Sequence, residues 1–462
     1  MRFLRLDDFR ITNHFNQPMK LFHKLALLFF VPCTMAAQAD QTALQSYFEQ
    51  SLQGKAGEAP HKKLSMKKVA QMRNQVWNAW KAANGAFSEQ RLPQLQPLSA
   101  HVSSSWTLPD SLEPSAVMPF YYGSKGVRPE AGYPLFIYLH GSGPKANEWA
   151  NGLLFGERFA DAPSVYFVPQ IPNGGKWYRW WQRSKQFAWE RLLRQALLSD
   201  SIDPSRLYVF GISEGGYGSQ RLASFYADYW AGAGPMAGGE PLKNAPAENL
   251  GHVAFSLRTG DKDYGFYRNT LSGYVREELD SLEDLMPTEY RHSVTLIPGQ
   301  GHHIDYTQTT PWLSHFKRNA CPSHFIWEDY DMDGRHRSGF YNLLVEKRPD
   351  NQRRTRYDVS ISKDSNRVDI VIENVNYTTT QRDSIFGIEM KFARTYDVAS
   401  GGAFTLFLNE ELVNLRTPVR VFVNGRRVFL GTPRLDVNSM ARSVAAFYDP
   451  RRIFPAAIEV KY

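Results

Sequence analysis

Arg206-Leu207-Tyr208-Val209-Phe210-Gly211-Ile212-Ser213-Glu214-Gly215-Gly216 is the stretch on which the reading of this 462-residue chain turns. Leu207 to Phe210 is a short aromatic and apolar run, the pattern of a strand buried on both faces, and a helical pattern follows from Gln220 to Trp230. Between them stands Gly-x-Ser-x-Gly, the sequence of a sharp strand-to-helix turn. Glycine is expected at 211 and 215 because neighbouring backbones crowd together in such a turn. The turn would hold Ser213 out at the top of a sheet as a candidate nucleophile. The N–H of Glu214 would sit at a helix N-terminus, where it can stabilise a developing oxyanion.

Gly-x-Ser-x-Gly alone is a weak signal, so its partners decide. In a turn of this kind the acid and base follow the serine in the order Ser, Asp, His. After the apolar run His252 to Thr259 comes Gly260-Asp261-Lys262-Asp263-Tyr264. Both aspartates fit; Gly-x-x-Asp spacing favours Asp263, with Asp261 as the alternative acid. After the run His292 to Ile297 comes Pro298-Gly299-Gln300-Gly301-His302-His303. His302 is the expected base, since a neutral imidazole can take a serine proton at physiological pH. His303 is expected to line the pocket.

Upstream, His140-Gly141-Ser142-Gly143-Pro144 follows the run Tyr133 to Leu139. Glycines let backbone N–H groups approach a ligand oxygen, so Gly141 or Ser142 is expected to supply the second oxyanion donor. His140 precedes the serine, the wrong order for the base, and is expected to order the loop. Four aromatics, Trp177, Tyr178, Trp180 and Trp181, crowd the polar stretch before the serine. Flat faces suit sugar rings or phenyl groups, so these four are candidate substrate-binding residues, with packing under the loop as the alternative.

The surrounding organisation is consistent with this. Candidate strands at 116–122, 133–139, 164–169, 207–210, 252–259 and 292–297 alternate with helices that include 184–198 and 266–285. Apolar strands with helical crossovers imply a doubly wound, mostly parallel sheet, and ligands in such sheets sit at the carboxyl ends of the strands. The expected fold class is α/β. Residues 101–318 form the catalytic domain, 40–100 a helical arm and linker, and 319–462 a β-rich module. In the arm, Val69, Met72, Val76 and Trp80 recur at helical spacing. The module carries short alternating segments and Asn424-Gly425, a hairpin signal, and reads as a small β-sandwich. Asp329-x-Asp331-x-Asp333-Gly334 opens like a calcium loop, but Phe340 stands where the bidentate Glu is required, so it is expected to be a polar turn. No metal is expected.

Residues 1–39 read as a signal peptide, with Met19 as a candidate start: Lys20 and Lys24, the apolar run Leu25 to Val31, then Ala37-Gln38-Ala39 before a cut at Asp40. The apolar run is too short to span a bilayer, so no transmembrane segment is expected. Periplasmic or secreted location follows. Removing these residues takes away five Lys/Arg and two Asp and lowers the formal charge from +8 to +5. The remaining charge has no lysine-rich block, which excludes a nucleic-acid partner. Cys33 leaves with the leader and Cys321 remains, so no internal disulfide can form.

With Asp203-Pro204-Ser205-Arg206 leading into the elbow, His140-Gly141 upstream and Gly301-His302 downstream, residues 101–318 resemble the α/β-hydrolase superfamily. The resemblance is to its secreted esterases, those that look like polyhydroxybutyrate depolymerases and feruloyl esterases. It implies that Ser213 is nucleophile, Asp263 acid and His302 base, and that the substrate is a small-molecule or polysaccharide carboxylic ester. The resulting expectation is a secreted serine ester hydrolase working through an acyl-enzyme, on acetyl or feruloyl esters of carbohydrates, with no cofactor. The alternatives are a serine peptidase similar to the prolyl oligopeptidases, which also carry Gly-x-Ser-x-Gly-Gly, and a non-catalytic glycan-binding protein of the same fold.

Overall fold

The computed structural model describes residues 31–172 and 179–462, with side chains from 41 onward. The expected signal peptide therefore lies largely outside the described residues. Helix α1 (Val31–Leu52) runs through the expected cut between 39 and 40. No helix among the described residues is long and apolar enough to cross a membrane.

The central sheet contains β1 (Gln96–Pro97), β2 (Ser103–Thr107), β3 (Val117–Lys125), β4 (Tyr133–Leu139), β5 (Ser164–Pro169), β6 (Ile202–Ile212), β7 (Gly232–Met236), β8 (Ala254–Gly260) and β9 (His292–Ile297). Their order is β1-β3-β5-β4-β6-β7-β8-β9, with β2 on β3, and the run from β5 through β9 is parallel throughout. This is the α/β-hydrolase arrangement expected from the sequence.

Every residue of β4 is buried, and its side chains alternate between two cores. Leu135, Ile137 and Leu139 join one core; Phe136 and Tyr138 join the other. A near-continuous apolar strand is what a sheet covered on both faces requires. Helices α4 (Arg183–Leu198), α5 (Glu214–Phe225) and α6 (Arg268–Leu285) cover the first face, and α3 (Lys145–Arg158) and α7 (Thr309–Leu313) the second.

The chain leaves β4 towards β5 on one side and returns as β6 on the other, so strand order reverses at β4. In the register of that pair Leu139 lies opposite Gly211, which sets the loop after β4 beside the turn after β6. A crevice at such a reversal is where doubly wound sheets bind ligands.

The C-terminal region has two sheets. β10 (His324–Asp329), β13 (Arg354–Ser362), β14 (Arg367–Arg382), β17 (Val419–Val423) and β18 (Arg426–Gly431) form one, with β15 (Glu389–Val398) on β14. The other holds β11 (Gly339–Phe340), β12 (Leu343–Lys347), β16 (Ala403–Leu408) and β19 (Ala456–Lys461). Trp327 stacks between Phe340 of the second sheet and Tyr357 of the first, at centroid distances of 5.3 and 5.1 Å. Helix α8 (Val437–Phe447), which the strand pattern did not announce, closes this region.

The N-terminal arm packs on it. α2 (Val69–Ala86) buries Val69, Met72, Val76 and Trp80, and Arg73 grips Glu410 with both guanidinium ends at 2.5 and 2.7 Å. Arg194 of α4 holds Glu89 of the arm in the same way, at 2.8 and 2.6 Å. The arm thus joins the sheet domain to the β region.

A buried ion cluster joins them more deeply. Asp228 is fully buried and takes Arg337 on one side and Arg452 Nη1 on the other, the latter at 2.5 Å. Arg452 and Arg318 both pair with Asp449, each at 2.8 Å. The acidic loop at 329–333 also serves the seam. Asp333 Oδ2 accepts across it from the Arg183 N–H at the start of α4 at 2.7 Å, while Asp329 pairs within the β region with Arg348 and His336 at 2.7 and 3.1 Å.

Removing one member of a buried ion cluster strands the others. Asp228→Ala is expected to lower stability by about 3–5 kcal/mol in urea or guanidinium unfolding, where an exposed pair such as Arg367–Asp369 would change it by less than about 1 kcal/mol.

His324 gives the seam a pH dependence. Hydrogen bonds to Asp358 and Glu289 raise its pKa to about 9 against the opposing effect of burial. A His pKa raised by folding stabilises fully below its unfolded value near 6.5, and the contribution is lost as pH rises through about 9. The stability difference between wild type and His324→Gln is therefore expected to be largest near pH 6 and to shrink steadily by pH 10, measured as denaturation midpoints across that range.

Candidate active site

Ser213 adopts φ 57° and ψ −114° at the start of α5, an unfavourable backbone that lifts its side chain out of the turn. Space explains the flanking glycines. A Cβ on Gly215 would lie 1.9 Å from the Leu139 carbonyl oxygen, and one on Gly211 2.4 Å from that of Gly215. Any side chain at either position would push β4 and β6 apart.

His302 follows β9 and bridges two of the residues singled out in the sequence. Its Nε2 lies 3.0 Å from Ser213 Oγ and its Nδ1 2.8 Å from Asp263 Oδ2. An ionised carboxylate can only accept, so Nδ1 carries the proton, and Nε2 is left to accept from the serine hydroxyl. Asp263 is buried. Burial alone would raise its pKa; hydrogen bonds from His302 and Arg268, with the Arg268 charge, outweigh that and hold the carboxyl below its usual range. Asp261 is turned elsewhere: its Oδ1 accepts from the Gly299 N–H at 2.8 Å and braces the loop that carries His302.

Arg268 was not found from the sequence. It forks Asp263 from the first turn of α6, with Nε on Oδ2 at 2.9 Å and Nη2 on Oδ1 at 2.7 Å. No spacing rule announces an arginine five residues after such an aspartate.

The loop after β4 is ordered by His140, which is fully buried. The Ile171 N–H donates to its Nε2 at 3.0 Å, so its Nδ1 donates to the Gly141 carbonyl at 2.7 Å. Burial pushes its pKa down to about 4, so the ring is neutral. The Gly141 N–H, one of the two donors expected from this loop, donates instead to Glu148 Oε2 of α3 at 3.2 Å. Ser142 and Glu214 both line the cavity beside Ser213. The Glu214 N–H lies in the first turn of α5, among the helix-start donors that bind anions. Its side chain is buried and accepts from the Arg179 N–H at 3.0 Å, tying down the segment before α4. Burial raises its pKa, against that hydrogen bond.

The aromatic candidates divide. Trp177 and Tyr178 lie outside the described residues. Trp180 is completely buried, its Nε1 donating to the His140 carbonyl at 3.0 Å, so it supports the loop from below and does not face a substrate. Trp181 lines the cavity, with the Arg221 guanidinium 3.9 Å above its ring. Arg221 is paired in turn with Glu240 at 2.7 Å. His303 is exposed and does not line the cavity; it sits beside His302 with ring centroids 6.1 Å apart.

The cavity has a volume of about 510 Å³. Tyr217, Phe266 and Leu271 of the sheet domain line one side, and Arg382, Phe386, Ile388 and Glu389 from the turn between β14 and β15 line the other. The hairpin signal in the sequence was at Asn424-Gly425, and nothing local to 383–388 signals a turn that reaches a serine about 170 residues earlier in the chain.

No family model matches the chain. Over 127 residues it is 32% identical to poly(3-hydroxyalkanoate) depolymerase C of Paucimonas lemoignei, a match covering 25% of this chain and 30% of that protein. The chain thus spans about a third of the length of that relative. Among solved structures it is similar to a thermostable esterase, with a TM-score of 0.39 and 19% identity over 47% of this chain and 63% of that one. It is also similar to a poly(3-hydroxybutyrate) depolymerase from Bordetella parapertussis, with a TM-score of 0.35 and 14% identity over 46% of this chain and 86% of that one.

Arg268 supplies a test that needs no substrate. Arg268→Met removes two hydrogen bonds and a positive charge from Asp263, so the carboxyl is expected to titrate at a higher pH than in wild type. Carbon-13 NMR of the labelled aspartate side chains would follow it, and an unchanged titration would mean that His302 alone holds the carboxyl down.

Proposed function

We propose that this protein is a serine carboxylic-ester hydrolase in which Ser213 is the nucleophile, His302 the general base and acid, and Asp263 the residue that orients His302. The observation that carries this reading is the unbroken line from Ser213 Oγ through His302 to Asp263, at 3.0 and 2.8 Å. The local likeness to a poly(3-hydroxyalkanoate) depolymerase supports the same class of reaction.

In the first half-reaction Ser213 Oγ attacks the ester carbonyl carbon while its proton passes to His302 Nε2. The carbonyl oxygen becomes an oxyanion, held by the N–H groups of Glu214 and Ser142. As the tetrahedral intermediate collapses, the bond to the alcohol oxygen breaks and Nε2 returns the proton to that oxygen. Water then attacks the acyl-serine with the same base, releasing the acid and restoring the serine hydroxyl. Asp263 stays ionised throughout, and its depressed pKa suits that role. Esters on carbohydrates, acetyl or feruloyl, remain the proposed substrates, and periplasmic or secreted location the proposed setting. The flat face of Trp181 in the cavity favours a ring-bearing substrate.

The test is hydrolysis of p-nitrophenyl acetate and butyrate by the full chain, with labelling by a serine-directed fluorophosphonate. Ser213→Ala is expected to abolish labelling and to lower kcat by about a thousandfold or more. Folded wild-type protein that neither turns over any ester nor takes the label would overturn the reading.

A further inference from the structure

The turn joining β14 to β15 is built with more care than a connector needs. Asp383 closes it: its Oδ1 accepts from the N–H groups of Ile385 and Phe386, both at 2.8 Å, and its Oδ2 from that of Ile388 at 2.5 Å. Arg382 ties the two sides together, donating to the Gly387 carbonyl at 2.9 Å and to Glu389 at 2.8 Å. Lys243, from the sheet domain, reaches across to the same Glu389 at 3.0 Å. Yet the side chains presented by this ordered turn are apolar and open to solvent, Ile385 at 72% and Phe386 at 52%.

Exposed apolar side chains fixed in one place beside a cavity mark a binding surface. The sheet domain meets them with a matching feature. Phe266 and Tyr267 are consecutive left-handed residues, at φ 52° and 58°, a backbone unfavourable for aromatic side chains. That conformation sets the Phe266 ring 4.6 Å from Phe386, and both rings line the cavity that contains Ser213.

Resting on the hydrolase reading above, we propose that the β14–β15 turn is a specificity wall for that site, and that Phe386, with Phe266, takes an aryl group carried by the ester. The β-rich region is then part of the substrate site. The aryl group belongs either to the acid, as in a cinnamate, or to the alcohol, as in a phenyl ester, and the substrates below separate these two sources.

The experiment compares the full chain with Phe386→Ala and Phe386→Tyr on two matched pairs, methyl cinnamate against methyl butyrate and phenyl acetate against ethyl acetate. Leu430→Ser, an exposed apolar residue of the same region away from the cavity, is the control. For at least one pair the aryl-to-alkyl ratio of kcat/KM is expected to fall about five- to tenfold in Phe386→Ala, chiefly through KM. Phe386→Tyr and Leu430→Ser should keep it. Binding of methyl cinnamate and phenyl acetate to Ser213→Ala protein, with and without Phe386→Ala, is measured by saturation-transfer NMR. If esters bind and Phe386→Ala weakens aryl binding while no variant shows turnover, the wall stands and the hydrolase reading fails. If turnover depends on Ser213 but the ratio and the aryl binding are both unchanged in Phe386→Ala, the wall is refuted and the hydrolase reading stands.

Discussion

Asp228 is the point from which the rest of this structure is held. It sits at zero exposure just after α5, the helix that follows Ser213, and two arginines from the β-rich region close on it from either side. An ionised carboxylate at that depth is tolerable only if its partners are present and geometrically fixed. Neither domain can relax without exposing or stranding a charge, so the β-rich region is held in one position against the sheet. The apolar core agrees: Ile137, Val209 and Phe255 of the central sheet belong to the same buried cluster as Phe340, Leu406 and Phe454 of the β region. A loosely tethered accessory module would have had its own closed core. This one shares its core with the sheet domain.

That rigid seam lets a distant hairpin take part in a site made elsewhere. β14 is 16 residues long and carries its turn out to the cavity. At a distance of several turns of chain, small rotations of one domain against the other would displace the tip by ångströms. The buried Asp228 cluster, the Lys243–Glu389 pair and the grip of Asp333 on the start of α4 each act against such rotation.

The fold was readable because its signals are local and repeated. Tyr133 to Leu139 and Ser164 to Pro169 are apolar on both faces, and only a sheet covered on both sides can bury such runs. β7 was missed for an equally local reason: Gly-Ala-Gly-Pro-Met contains the residues that usually break strands. In place it needs small residues, since a Cβ on Gly234 would lie 2.3 Å from Thr309. Ser213, Asp263 and His302 could be named because their order along the chain follows strand order. Trp180 takes the packing alternative: it is buried, and its Nε1 donates to the His140 carbonyl from beneath that loop. Arg268 and Phe386 left no trace in the sequence, because what matters about them is which distant element they meet.

The same turn serves both the acid and the wall. Tyr264, Gly265, Phe266 and Tyr267 lead directly from Asp263 to Arg268, and the left-handed pair within them does two things at once. It swings Phe266 towards Phe386, and it brings the chain round tightly enough for Arg268 to fork the carboxylate five residues behind it. Two unfavourable backbone conformations, at about 1–3 kcal/mol each, persist only where surrounding contacts over-determine them. Here those contacts are the bidentate ion pair on one side and the Phe266–Phe386 contact on the other. The position of Asp263, and through it the orientation of His302, therefore depends in part on the hairpin of the β-rich region. A chain cut at residue 318 would lose the wall of the cavity and also one of the supports that keeps the carboxylate in line.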